Sequence, residues 1–170
     1  FMKGDVNQSI EILEKLIEAN PKSSEYLLAK ANYCFEKDKF YEAEETFLQA
    51  FKIRTTVKTF ATFLRLGYTF LYRKAWGDAR AVLTKACELK SNTSLGWLGL
   101  GIGCLRCGEY KEGEQALTQA NLYDHLNAEV WGYLALLCLH DGGRMVQAHQ
   151  ALREMLKCEL KNLALLEELA

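Results

Sequence analysis

A single proline, at position 21, only three histidines and no apolar run of bilayer-crossing length are the main absences from this 170-residue sequence. Each closes off a class of protein. A membrane-spanning helix needs roughly 18 or more consecutive apolar residues, and no stretch here approaches that. The opening Phe1-Met2-Lys3-Gly4-Asp5 resembles no secretory signal. Lysine and arginine are interspersed with aspartate and glutamate for a net charge of −1, so no basic stripe stands ready to neutralise a phosphate backbone. Nucleic acid is therefore not an expected partner, and neither is a membrane. His125, His140 and His149 are too dispersed to complete a triad with any nucleophile. Six cysteines are present, but they fall inside periodic apolar segments of a chain long enough to build a core, which predicts free thiols in a reducing compartment. The remaining composition, 49% apolar and 25% charged, describes a folded, mostly helical chain.

What the sequence does have is recurrence. Trp97 and Trp131 stand 34 residues apart, and each opens the same pattern: tryptophan, two residues, leucine, a tiny residue, two residues, cysteine. The first of these units continues through Gly108, Tyr110, Gly113, Leu117 and Ala120, the second through Gly142, Gly143, Ala148, Leu152 and Met155. Thirty-four residues upstream of Trp97 the same roles fall to Phe63, Leu66, Gly67, Phe70, Trp76, Ala79, Leu83 and Ala86. A shift of 36 then reaches Leu27, Ala31, Cys34, Phe40, Ala43, Phe47 and Ala50, the two extra residues lying between Ala50 and Phe60. Apolar residues recur three and four apart and are then interrupted, which makes each unit two helices. The expected helices cover 5–18, 24–36, 40–53, 58–72, 76–89, 94–106, 110–122, 128–140, 144–158 and 162–170. They group into a half repeat at 1–23, full repeats at about 24–59, 60–93, 94–127 and 128–162, and a further helix at 163–170. A chain that begins with Phe1 and half a repeat reads as an excerpt of a longer protein. Asn92 and Ser94 are candidate caps for the Trp97 helix and Asn127 for the Trp131 helix.

Ala31, Gly67, Gly101 and Ala135 recur as notches in the first helix of each unit. Glycine inside a helix costs about 1 kcal/mol relative to alanine, so its recurrence predicts close approach by a neighbouring helix. Ala43, Ala79 and Ala148 serve that crossing from the second helix, and Phe47, Leu83, Leu117 and Leu152 fill the space toward the following unit. The same periodicity disposes of two chemical motifs. Cys104 and Cys107 with Cys138 and His140 mimic a zinc site, yet Cys34, Cys104 and Cys138 occupy equivalent positions of successive units, so their spacing comes from the repeat. Gly99, Gly101, Gly103 and Gly108 mimic a nucleotide loop but lack the preceding strand and the closing Gly-Lys-Ser/Thr.

At this period the pattern resembles the tetratricopeptide repeat. The likeness covers essentially the whole chain and is strongest from Leu95 to Ala120, where Trp97, Leu100, Gly101, Tyr110 and Ala120 agree with the family pattern. Departures are Cys34, Cys104 and Cys138 in place of the usual tyrosine, Gly113 and Met155 in place of alanine, and His125 where proline often stands. The run from Leu122 to Leu136 further resembles the carboxy-terminal repeats of a family of ciliary and flagellar proteins. These resemblances imply an all-α, right-handed α-solenoid of helix hairpins, with no cofactor, no metal and no catalysis. They imply a protein–protein interaction module, and on the closer likeness a scaffold subunit of a ciliary axoneme complex. Its partners would be peptide or helical segments of axonemal or microtubule-associated subunits. The alternative is a regulatory or targeting domain of a larger cytoplasmic enzyme or adaptor.

In such a stack the first helix of every pair lines the concave side. The residues there not committed to the internal pattern are Asn32 and Phe35, Leu64, Tyr68 and Tyr72, Leu98, Ile102 and Arg106, then Tyr133, Leu136 and His140. This aromatic and aliphatic wall suits a segment of another protein. It does not suit the carboxylate tails of heat-shock chaperones, because Leu64, Tyr68, Leu98 and Ile102 stand where polar donors are wanted. The terminal Leu163, Leu165, Leu166 and Leu169 make the last helix one that docks or continues, with homodimerisation through that end as the second interaction to consider.

Overall fold

The computed structural model describes residues 4–53, 58–140 and 144–170. Among the described residues there are ten helices and no strands: α1 (Gly4–Ala19), α2 (Ser24–Glu36), α3 (Phe40–Ile53), α4 (Phe60–Tyr72), α5 (Trp76–Leu89), α6 (Ser94–Arg106), α7 (Tyr110–Tyr123), α8 (Ala128–His140), α9 (Met145–Lys157) and α10 (Leu163–Leu169). Each boundary lies within two residues of the sequence expectation. The pairs α2/α3, α4/α5, α6/α7 and α8/α9 pack as hairpins, and each first helix also touches the first helix of the next pair. The result is an all-α solenoid. The glycine pair at 142–143 and most of the lengthened connection before Phe60 lie outside the described residues.

The notches are filled as the sequence requires. A Cβ on Gly67 would lie 2.4 Å from Leu83 Cγ, and one on Gly101 would lie 2.6 Å from Leu117 Cγ. Ala31 and Ala135 are fully buried, as are Leu83 and Leu117. Leu83 also reaches forward, since a Cβ on Gly99 of the next hairpin would meet its Cδ1 at 3.1 Å. One leucine thus fills its own hairpin's notch and seals the joint to the next. The remaining glycines of α6 have the same explanation. Gly99 and Gly103, four residues apart on one face, turn toward α5, and a Cβ on Gly103 would approach the Arg80 backbone nitrogen at 3.3 Å. Glycine here lets α6 approach α5 on one side and α7 on another, so α6 is apolar around its whole circumference.

The turns of the first three hairpins share one solution. The Lys39 N–H donates to the Cys34 carbonyl, that of Ala75 to Phe70 and that of Glu109 to Cys104, each at 2.9 Å. Asp38, Lys74 and Gly108 hold φ of 58°, 61° and 79° in the left-handed region. This is the Schellman termination, which satisfies the orphaned carbonyls at a helix end. The start of α8 is capped by Asn127 Oδ1, which accepts from Glu129 N at 3.1 Å and Val130 N at 3.4 Å. The expectation for α6 needs correction. Its N-cap is Thr93, with no capping side-chain bond, and Ser94 Oγ donates instead to the Ala120 carbonyl at 2.9 Å. The hydroxyl is used to satisfy the end of the partner helix rather than the start of its own. Trp97 and Trp131 donate their indole N–H to Ser91 and His125 carbonyls at 2.6 and 2.8 Å, pinning the loop before each helix.

Successive hairpins are also joined by ion pairs at repeating positions. Glu44, Arg80 and Glu114, each the fifth residue of a second helix, bind Arg73, Glu109 and Arg144 in the turn of the next hairpin. The sign of the charge alternates along the stack.

Replacing Gly101 with alanine is expected to cost about 1–3 kcal/mol in chemical denaturation, because the new methyl overlaps the fully buried Leu117, which must shift to admit it. Gly77→Ala, whose Cβ would meet nothing within 4 Å, is expected to be neutral or to stabilise by up to about 1 kcal/mol.

Candidate interaction groove

The first helices α2, α4, α6 and α8 stand side by side and form the inner wall. Between α4, α6 and α8 the wall opens into a hollow of about 140 Å³, continuous with solvent and lined by Tyr68, Leu71, Tyr72, Trp76, Ile102, Arg106, Glu129, Tyr133 and Asn162. Five residues expected on the concave wall meet here: Tyr68, Tyr72, Ile102, Arg106 and Tyr133. Phe35 adjoins them through an aromatic cluster in which Tyr72 stacks on Phe40 at 4.5 Å between centroids and Phe35 lies 6.0 Å from Phe40. Asn32 and Leu64 are half-buried on α2 and α4. Leu98, 1% exposed, and Leu136, 4% exposed, belong to the hydrophobic core and back the wall rather than face it. A first helix inside the stack is flanked by first helices on both sides, so inward residues that lean toward a neighbour are covered by it. His140 sits at the edge of the wall, exposed, with its ring stacked on Tyr110 at 5.8 Å.

Four lining residues lie outside the sequence expectation: Leu71, Trp76, Glu129 and Asn162. Trp76 is the first residue of a second helix, and Asn162 caps α10 by accepting from Leu165 N at 3.2 Å. Glu129 stands where the preceding units have Leu95 and Ala61 and the first has Glu25, so the period by itself does not mark it as a lining residue.

One end of the hollow is organised by α10. Leu165, 1% exposed, packs over Gly132, where a Cβ would lie 2.7 Å from Leu165 Cδ2. Asn162 Nδ2 donates to Glu129 Oε1 at 2.9 Å. Both carboxylate oxygens of Glu168 accept from the Arg106 guanidinium, whose Cζ also lies 5.8 Å from the Trp76 ring centroid. The last helix therefore docks within the chain, although Leu163 remains 72% exposed. Hydrogen bonding from Arg106 holds the Glu168 carboxyl below the usual glutamate range. Burial pushes the phenols of Tyr68, Tyr72 and Tyr133 upward, and the negative charge of Glu129 adds to this at all three. Tyr68 donates its hydroxyl hydrogen to the Leu95 carbonyl at 3.0 Å, so it bridges two hairpins as well as lining the hollow.

All six cysteines are unpaired thiols. Burial raises the Cys87 and Cys104 thiols to about 11, and Cys138 Sγ accepts from Arg144 at 3.2 Å. Among the described residues no group of three or more His, Cys, Asp or Glu side chains is placed to hold a metal ion. No helix among them is long and apolar enough to cross a membrane.

Stacked hairpins with these notches, turns and inner wall define a tetratricopeptide-repeat solenoid. Among solved structures the chain is similar to MamA, with a TM-score of 0.81 at 18% identity covering 95% of this chain and 93% of that one. It is similar also to YrrB, described as a TPR protein with an unusual peptide-binding site, with a TM-score of 0.82 at 16% identity covering 96% and 83%. Residues 1–170 match the family described as the cilia and flagella-associated protein 70 C-terminal domain, and the chain belongs to that family. Cilia- and flagella-associated protein 70 of Homo sapiens and of Macaca fascicularis are each 48% identical to it over 107 residues, 63% of this chain. That segment is 9% of the human protein and 10% of the macaque protein, so the match spans a small part of each relative.

The Arg106–Glu168 pair has a pH signature. Because the folded-state pKa of Glu168 is depressed from 4.5, its contribution to holding α10 is present above that value and lost as pH falls through the folded one. A carbon-detected NMR titration should show Glu168 titrating below 4.5, with the Arg106 Nε–H signal moving at the same midpoint, and Arg106→Gln should return Glu168 to the ordinary range.

Proposed function

We propose that this chain is a non-enzymatic protein-interaction module whose concave wall holds a peptide or helical segment of another protein. Within a cilia- and flagella-associated protein it acts as part of a scaffold for an axonemal complex. The observation that carries this reading is the hollow between α4, α6 and α8, where tyrosine and tryptophan side chains combine large apolar area with a few polar groups at the wall's centre. Family membership supports the ciliary and flagellar setting. Partners among axonemal or microtubule-associated subunits, and a place on the cilium or flagellum axoneme, follow from that setting as parts of the same proposal. Chaperone carboxylate tails are disfavoured on two grounds. Apolar residues stand where a carboxylate clamp needs donors, and the Arg106 guanidinium already serves Glu168. A carboxylate brought in without its own donors loses hydration that nothing repays.

Tyr72, 60% exposed and stacked on Phe40, is the residue with which to test the wall, because its removal spares the core. Tyr72→Ala should reduce capture of axonemal proteins from a ciliated-cell lysate by about tenfold, the cost of truncating an aromatic anchor. Lys85→Ala, on an exposed stretch of α5, should leave capture unchanged. Unchanged capture by Tyr72→Ala, with helicity preserved by circular dichroism, would place the binding face elsewhere.

A further inference from the structure

The hollow holds two charged side chains, and the structure treats them differently. Arg106 is neutralised, since both oxygens of Glu168 accept from its guanidinium. Glu129 is not. Its Oε1 accepts from the neutral amide of Asn162 at 2.9 Å, and no lysine, arginine or histidine among the described residues forms an ion pair with it. The carboxylate stands at the first turn of α8, half-buried, and its charge is felt by Tyr68, Tyr72 and Tyr133 across the hollow. An aromatic-lined recess whose one uncompensated charge is negative attracts cations twice over. The ring faces carry negative quadrupole density, and the half-buried carboxylate supplies a full charge. An anionic side chain would meet Glu129 without gaining Arg106.

From this we propose that the recess between α4, α6 and α8 receives a lysine or arginine side chain of the bound protein segment, with Glu129 as the charge partner and Tyr68, Tyr72 and Tyr133 as the surrounding aromatic wall. The proposal rests on the reading of the concave wall as the binding face and adds the chemistry of its anchor. It makes selectivity a matter of one side chain. A segment with a basic residue flanked by apolar ones fits, whereas one with norleucine of similar length fills the space without using the carboxylate.

The experiment uses immobilised twelve-residue peptides with randomised flanks and a fixed central residue that is lysine, arginine, norleucine or glutamate, probed with the full 170-residue chain. Lysine and arginine sets should retain at least fivefold more protein than the norleucine set, and the glutamate set least. Glu129→Gln, which keeps the acceptor for Asn162 but removes the charge, should bring the basic sets down to the norleucine level, while Glu112→Gln on the exposed start of α7 should not. Equal melting temperatures for the two variants exclude a folding effect. Retention of norleucine equal to lysine, or preference for glutamate, would overturn the basic anchor while leaving the wall as a binding face. Basic preference that survives Glu129→Gln would overturn the assignment of Glu129. Absence of retention on every set, together with unchanged lysate capture by Tyr72→Ala, would remove the wall itself.

Discussion

Everything in this molecule follows from how closely two helices of a hairpin approach. At Gly67 and Gly101 the first helix gives up a side chain, and a leucine from the second, Leu83 or Leu117, brings its Cγ too close for a Cβ to fit. Each such glycine sacrifices about 1 kcal/mol of helix propensity, which the buried leucine and the contacts of the closer crossing offset. The crossing is tight enough that a first helix is covered by its partner, by the preceding second helix and by first helices on either side. One face is left over, and that face is the inner wall. The groove is thus what remains of four helices after packing has taken the rest.

This explains why the fold was legible and the groove less so. Position in the repeat determines burial, so the period alone located the helices to within two residues and, at Gly67 and Gly101, the notches that leucines fill. The wall depends on finer geometry. Tyr68, Tyr72, Ile102, Arg106 and Tyr133 were found because they are large residues on the uncommitted side of first helices. Leu98 and Leu136 satisfy the same criterion and nevertheless line no part of the hollow, because a helical face is wider than the gap between two neighbouring first helices. Trp76, Glu129 and Asn162 reach the hollow from a second helix, a helix start and a cap, places where the repeat pattern assigns no inward role. Their contribution depends on side-chain direction and not on period.

The last helix shows the same principle met from a different direction. In α6 the position after the repeat tryptophan is Leu98, which fills its own surroundings; in α8 the equivalent residue is Gly132, and Leu165 enters from α10 to fill them. The cap is repeated as well. Asn162 Oδ1 accepts from Leu165 N as Asn127 Oδ1 accepts from Val130 N, so α10 starts in the manner of another first helix. Its docking then does something no internal helix does, because Glu168 crosses to Arg106 on α6 and leaves Glu129 as the recess's uncompensated charge.

Hairpin order is set by the chain, since the connections between α5 and α6 and between α7 and α8 are four residues each. Ion pairs act on how the joined hairpins seat. Glu44–Arg73, Arg80–Glu109 and Glu114–Arg144 link each hairpin to the turn of the next, with the acidic partner first, then second, then first. Such partly covered pairs add little to stability, but they tie the turn of each hairpin to the second helix before it. With order set by the chain, that tie acts on seating, and it is the seating of three successive hairpins that brings Tyr68 and Tyr72 of one, Arg106 of the next and Glu129 and Tyr133 of the third around one recess.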